Sequence, residues 1–323
     1  MNKKPGRILL ALAVAIVAAL AGLWLLWAGP GPAREPLTVQ IAQGSSLASA
    51  ARQLETAGAI PDAGRFRLLA RLLGSGEPIK AGEYEIPAGA SASDVLSLLQ
   101  RGRTLVRLVT IPEGMPSVLV AEKLMDEPLL TGTVRVPREG SVLPDSYSFE
   151  RGETRAAVLG RMQDAMAKTL AELWARRKPA SVVKTPQEAI ILASIVEKET
   201  ALASERRMVA GVYSNRVRIG MPLQADPTVI YPITKGKPLG RRIRQSELRD
   251  DNGYNTYARA GLPDGPIANP GRDSIAAVLD PQPTNALYFV ADGKGGHVFA
   301  ETLAEHQANV AKWYAIRRSR GEM

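Results

Sequence analysis

The sequence predicts an α+β protein with one membrane-spanning N-terminal helix, a small β-α-α-β module and a larger α+β domain. Three observations carry this. An apolar run without a charge, from Ile8 to Ala28, would span about 31 Å as a helix, the thickness of a bilayer's hydrocarbon core. Short runs of alternating polarity, LTVQI (Leu37–Ile41) and KAGEYEI (Lys80–Ile86), are interleaved with amphipathic stretches stopped by Gly58, Gly74 and Gly220. The chain has 323 residues, 45% hydrophobic and 23% charged, enough for two domains and a sizeable core.

Lys3, Lys4 and Arg7 form a basic tail (residues 1–7) ahead of the span (8–28). The positive-inside rule puts that tail in the cytoplasm, and Trp24 and Trp27 suit the outer interface. A cleaved signal peptide is the alternative. Its apolar region would cover only about 7–15 residues, so the longer run favours an uncleaved single-pass anchor. GPGPAREP (29–36) reads as a linker leaving the membrane.

The small module (37–104) is expected to run strand Leu37–Ile41, helices Leu47–Ala57 and Arg65–Leu73, strand Lys80–Ile86 and helix Ala92–Leu99. A connecting segment (105–138) follows, with a strand at Arg107–Ile111 and a helix at Ser117–Met125. The larger domain (139–320) opens on an irregular stretch, Gly140–Phe149, and a long helix, Thr154–Arg176. Thr185, Pro186 and Glu188 then make a capping box for a helix. Ser204 is expected to cap the next helix, through Ile219, and Asp226 a short one through Tyr231. Tyr254–Gly271 holds too many Gly and Pro for regular structure. A helix (Asp273–Leu279), a hairpin (Ala286–Val290 with His297–Phe299) and a terminal helix (Glu301–Arg318) complete the chain.

The formal charge is +9. A basic protein facing outward could meet nucleic acid, anionic lipid or an anionic wall polymer. With only four Phe, no aromatic-interleaved basic motif and an anchor, nucleic acid is disfavoured. The chain has no cysteine, hence no disulfide, thiolate ligand or cysteine nucleophile. It has no Gly-rich phosphate loop, H-E-x-x-H or G-x-S-x-G. With two histidines, His297 and His306, a zinc site of three protein ligands would need carboxylates; no metal or cofactor is expected. His306 is expected in solvent, and His297 is either a cleft residue or a strand-surface position.

One carboxylate stands out. At about 100° per residue, Ile191, Leu192, Ile195 and Val196 form one apolar stripe, and Glu199 falls near its middle. Glu197 projects from the opposite side. Two readings fit Glu199: a general acid whose pKa burial raises toward neutrality, or a side chain emerging into solvent at the last helical turn. Asn215, on the apolar side of the next helix, is either bonded within the core or turned into a cleft. Asp226 is a cap, a site residue or both. Loops rich in Asn, Gln, Asp, Tyr and Thr around such a carboxylate make a wall suited to sugar. Glycosidases pair two carboxylates; Glu197 cannot partner Glu199, and Asp226 can. A sugar hydroxyl can also act as nucleophile, and then one acid/base suffices.

Taken together, ASIVEKET, ASER, NR, IGMPLQADPTVIY, YNTYARAGLPDGPIANPG and LYFVADGKGGHVF resemble the YceG-like (MltG) family of endolytic lytic transglycosylases. LPDSY (Leu143–Tyr147) is similar to that family's FPDTY segment, with Leu for Phe and Ser for Thr. The small module, with the stretch I-x-x-G-x-S-L (Ile41 to Leu47) at its start, resembles a LysM module, a small fold that binds the sugar backbone of peptidoglycan; a spacer domain is the alternative reading. The resemblance implies a protein of the bacterial inner membrane whose outer, periplasmic domain cuts the bond between N-acetylmuramic acid and N-acetylglucosamine in nascent glycan strands. The product ends would be 1,6-anhydromuramyl, and the cut would end strand elongation, with peptidoglycan synthases as partners. It further implies that Glu199, the second Glu of E-K-E, is the catalytic acid/base, and that Asn215, Gln224, Asp226, Tyr254, Asn255 and His297 line the cleft.

Overall fold

The computed structural model describes residues 4–322, with side chains from Leu9 onward. Of the expected basic tail, Lys3 lies outside the described residues, and only the backbone of Lys4 and Arg7 is described. Among the described residues, the fold mixes helices with three two-stranded sheets. Helix α1 (Lys4–Ala28) contains one 20-residue apolar span, Leu9–Ala28, of mean hydropathy 2.7, long enough to cross a membrane.

The chain divides into two compact units. The smaller runs to Arg107 and takes in Phe149–Arg151; the larger comprises Leu108–Ser148 and the chain from Gly152. Most of the expected connecting segment, 105–138, thus belongs to the larger unit.

In the smaller unit β1 (Leu37–Ile41) pairs antiparallel with β2 (Gly82–Ile86), Leu37 opposite Ile86 and Ile41 opposite Gly82. Alternation along β1 buries Val39 and Ile41 and leaves Thr38 and Gln40 in solvent. Helices α2 (Leu47–Thr56), α3 (Ala63–Leu73) and α4 (Ala92–Arg101) begin at the side-chain caps Ser46, Asp62 and Ser91. Gly102, at φ 69, closes α4 in the left-handed conformation. Leu54, Phe66, Tyr84, Ile86 and Leu99 form the core. Glu83 is also buried, on the face of β2 opposite Tyr84 and Ile86; burial alone would raise its pKa, but Arg107 (2.5 Å) and Arg151 (3.1 Å) hold it below the usual range.

The larger unit carries α5 (Ser117–Asp126), α6 (Arg155–Ala175), α7 (Pro186–Glu199), α8 (Arg206–Arg218), α9 (Asp226–Thr234), α10 (Gln245–Arg249), α11 (Arg272–Leu279) and α12 (Leu303–Ser319). Strand β3 (Arg107–Thr110) pairs with β4 (Ser146–Phe149), and β5 (Tyr288–Ala291) with β6 (His297–Ala300). The core gathers α7, α8 and α11 around Leu192, Ile195, Val196, Tyr213, Ile275 and Val278. Each fully buried Leu or Ile there contributes about 1.5–3 kcal/mol.

Several local expectations are corrected. Gly140–Phe149 is not wholly irregular, because Ser146–Phe149 forms β4. Thr185 does cap α7, accepting from the Glu188 N–H at 3.1 Å, but the Glu188 carboxylate takes the Lys184 N–H rather than that of Thr185. The box is therefore half-made. Ser204 caps nothing; Glu205 precedes α8 and makes no side-chain cap bond. Asp226 is the first residue of α9, after Ala225, so it is no N-cap. His306 is half-buried, its ring stacked 5.2 Å from Tyr288.

Candidate active site

The apolar stripe of α7 is buried from Ala189 to Val196, and Glu199 closes the same helix. Its Oε1 is buried and meets no hydrogen-bond partner among the described residues. The carboxyl accepts a bond from the Tyr213 hydroxyl. Burial first, and the nearby Asp226 carboxylate second, push its pKa from the ordinary 4.5 up to about 7; the Tyr213 bond and the Arg216 charge oppose them. A group poised there donates and accepts protons with similar ease at neutral pH.

Three elements supply this surrounding. Tyr213 and Arg216 lie three apart on α8, hence on one face. Tyr213 is 1% exposed, its ring edge-on to Phe289 at 5.8 Å. The buried Arg216 donates to the carbonyls of Leu287 and Leu223, both at 2.7 Å. Asp226 opens α9, where the exposed N–H groups of a helix favour negative charge, and accepts from the Tyr257 hydroxyl at 2.6 Å. Lys198 and Pro227, each next in sequence to a site carboxylate, line a depression of about 350 Å³ with Met115, Leu119, Tyr231 and Leu239.

Glu197 stands apart, as its helical position predicts. Its Oε2 accepts the Gly271 N–H at 2.8 Å, and Arg206 lies 3.7 Å from its Oε1. A Cβ on Gly271 would come within 2.0 Å of Glu113 Oε1, so the Glu113 side chain would have to swing aside.

The residues expected to line the cleft part company. Asp226 joins Glu199, and Gln224, two residues before it, is exposed at φ 51, in the left-handed region that is strained for a side-chain-bearing residue. Tyr254 is half-buried with its ring 5.0 Å from Tyr231. Asn215 takes the core-bonded alternative: its amide donates to the carbonyls of Thr284 (2.8 Å) and Ala286 (3.0 Å). His297 Nδ1 sits 2.7 Å from Glu205 Oε2, and the His297 N–H donates to Oε1 of the same carboxylate. Burial opposes ionisation of Glu205, but these bonds hold its pKa below the usual range.

Asn255 departs furthest from the expectation. It is 0% exposed, donates to the carbonyls of Glu247, Leu248 and Asp250, and accepts from the Tyr257 N–H. It is a brace for the loop that presents Tyr257. Asn255→Ala is expected to cost about 2–3 kcal/mol, measured by chemical denaturation of the full chain.

Sequence reasoning missed Tyr213, Arg216 and Tyr257. The first two carried a usable signal, a phenol and a guanidinium three residues apart on the helix after Glu199. Tyr257 carried none beyond its place in YNTY.

The chain resembles known proteins over most of its length. A model of the YceG-like family matches residues 39–312. The chain is 29% identical to the endolytic murein transglycosylase of Streptococcus pneumoniae, over 85% of this chain and 58% of that protein. It is 26% identical to the endolytic murein transglycosylase of Bacillus subtilis, over 88% of this chain and 86% of that one. The chain thus spans little more than half the length of its pneumococcal relatives. A crystal structure of a yceG-like protein from Listeria monocytogenes superposes with a TM-score of 0.54 at 27% identity, covering 85% of this chain and 98% of that one. With the family match extending over most of its length, the chain belongs to the YceG-like family.

Proposed function

We propose that this chain is a membrane-anchored endolytic lytic transglycosylase of peptidoglycan. One observation carries the reading: a single carboxylate, Glu199, buried on an apolar helix face and held near neutrality. The names of the pneumococcal and Bacillus relatives support it. Protonated Glu199 gives its proton to the glycosidic oxygen as the bond from the muramyl anomeric carbon to that oxygen breaks. The muramyl 6-hydroxyl then attacks the anomeric carbon and returns its proton to the Glu199 carboxylate. The products are a free N-acetylglucosamine 4-hydroxyl and a 1,6-anhydromuramyl end, with Glu199 restored as the acid. A pKa of about 7 suits a group that must act as acid and then as base.

In this reading α1 anchors the chain in the bacterial inner membrane with its N-terminus in the cytoplasm, and both compact units lie outside. The smaller unit serves as a LysM-like glycan-binding module. Cleavage within nascent strands ends their elongation, with the synthases of that machinery as partners.

Mass spectrometry of muropeptides released by the full-length protein tests the reaction. Anhydromuramyl ends are expected. Reducing muramyl ends would replace the lyase with a hydrolase in which Asp226 activates water, and no release at all would favour a non-catalytic wall-binding scaffold.

A further inference from the structure

Asp226 and Tyr257 stand beside Glu199 with no part in the proton transfers above. Asp226 is fixed at two points. Its backbone begins α9, and the Tyr257 hydroxyl donates to its Oδ1 at 2.6 Å. Tyr257 is itself held, its N–H bonded to the Asn255 side chain at 2.9 Å. The neighbouring Thr256 locks the same loop onto the start of α9 through Thr228 (2.8 Å) and the Ala225 N–H (3.0 Å). A hydroxyl bond is not needed to build this loop. It falls instead on an exposed carboxylate that would otherwise rotate into solvent.

We propose that Tyr257 and Asp226 form a clamp that keeps the proton on Glu199: the phenol pins the Asp226 carboxylate so that its negative charge faces Glu199. Both are positioning residues, acting on the chemistry through Glu199, and the proposal rests on the function proposed above. The groups that face Glu199, among the described residues, are Tyr213 and Arg216 from α8, Asp226 from α9 and Tyr257 from the loop. Arg216 and the Tyr213 bond favour the ionised carboxylate, while Asp226 alone among the charged neighbours favours the acid. An acid that must be protonated before the first step therefore depends on the position of one neighbour. A free carboxylate side chain would swing toward water, where its field is screened.

The sign follows. Without the pinned negative charge Glu199 ionises more easily, so its titration midpoint falls. The basic limb of the cleavage rate, which reports loss of the Glu199 proton, falls with it.

The test is a carboxyl-13C NMR titration of the full-length protein in detergent micelles with labelled glutamate, the Glu199 signal assigned by its absence in Glu199→Gln. Glu199 is expected to titrate near 7 in the unaltered chain. In both Asp226→Asn and Tyr257→Phe the midpoint is expected to fall by about half a pH unit or more, a threefold change in the acid-to-carboxylate ratio. A midpoint unmoved in both variants overturns the proposal, whatever happens to their stability. A midpoint that falls in Asp226→Asn but holds in Tyr257→Phe also overturns it, since the phenol would then pin nothing. The titration needs no turnover, so failure of the clamp is distinguishable from failure of the proposed activity.

Discussion

Glu199→Gln is expected to lower peptidoglycan cleavage by roughly 10²- to 10⁴-fold, the usual contribution of a general acid/base, while making the fold more stable above neutral pH. The stability effect is the less intuitive half. Glu199 has a folded pKa near 7 against an ordinary 4.5. Below the ordinary value the carboxyl is neutral whether folded or unfolded and costs nothing. As pH rises toward and past 7 the unfolded chain ionises first, and the folded state is penalised. The gap is worth about 3 kcal/mol once both states are ionised. Gln fills a similar volume and carries no charge, so the variant should gain nothing over the unaltered chain near pH 4 and about 3 kcal/mol near pH 9. Hydrogen exchange of the α7 amides, followed in the full-length protein across that range, checks the sign and the size. A functional residue that weakens its own fold is the pattern expected when a site is tuned for chemistry.

Arg216→Met is expected to be the most damaging single change to the site's scaffold. The guanidinium satisfies the carbonyls of Leu223 and Leu287 from a buried position, with its charge 5.5 Å from the centre of the Tyr288 ring. Methionine would fill part of the space and leave both carbonyls unbonded, costing about 3–5 kcal/mol. Arg216→Lys should recover only part of this, because one ammonium cannot reproduce a fork aimed at two carbonyls. The same loss removes a cation that favours ionised Glu199, so the Glu199 titration midpoint should move up, opposite to the clamp variants. Denaturation of the two variants, with the carboxyl titration alongside, separates the scaffold part from the electrostatic one.

What the sequence made legible follows from how local the cause is. The Thr185 cap, Pro186 and the stripe from Ile191 to Val196 act within one helix, and α7 begins where they place it. The period of 3.6 likewise set Glu199 and Glu197 on different sides, and their partners in the structure are indeed different. The alternation of LTVQI fixes which side of β1 is buried for the same reason. Elements whose cause is tertiary were not legible. Ser146–Phe149 becomes a strand through pairing with β3, and Gln245–Arg249 is too short to show a period. The motifs lead one to expect their polar residues along the cleft, yet Asn215 and Asn255 spend their amides on backbone carbonyls. An asparagine in a Gly/Pro-rich loop has many unpaired carbonyls to satisfy, and a sequence does not separate that duty from a substrate contact. Tyr257 reaches Asp226 across 31 positions of chain, a meeting with no local signature.

In the proposed reaction Glu199 carries the cleavage. A paired digest tests it most directly: purified peptidoglycan incubated with the full-length protein and with Glu199→Gln, each in detergent, and the soluble muropeptides quantified. Abundant release is expected from the unaltered chain and almost none from the variant. Equal release from the two would contradict it.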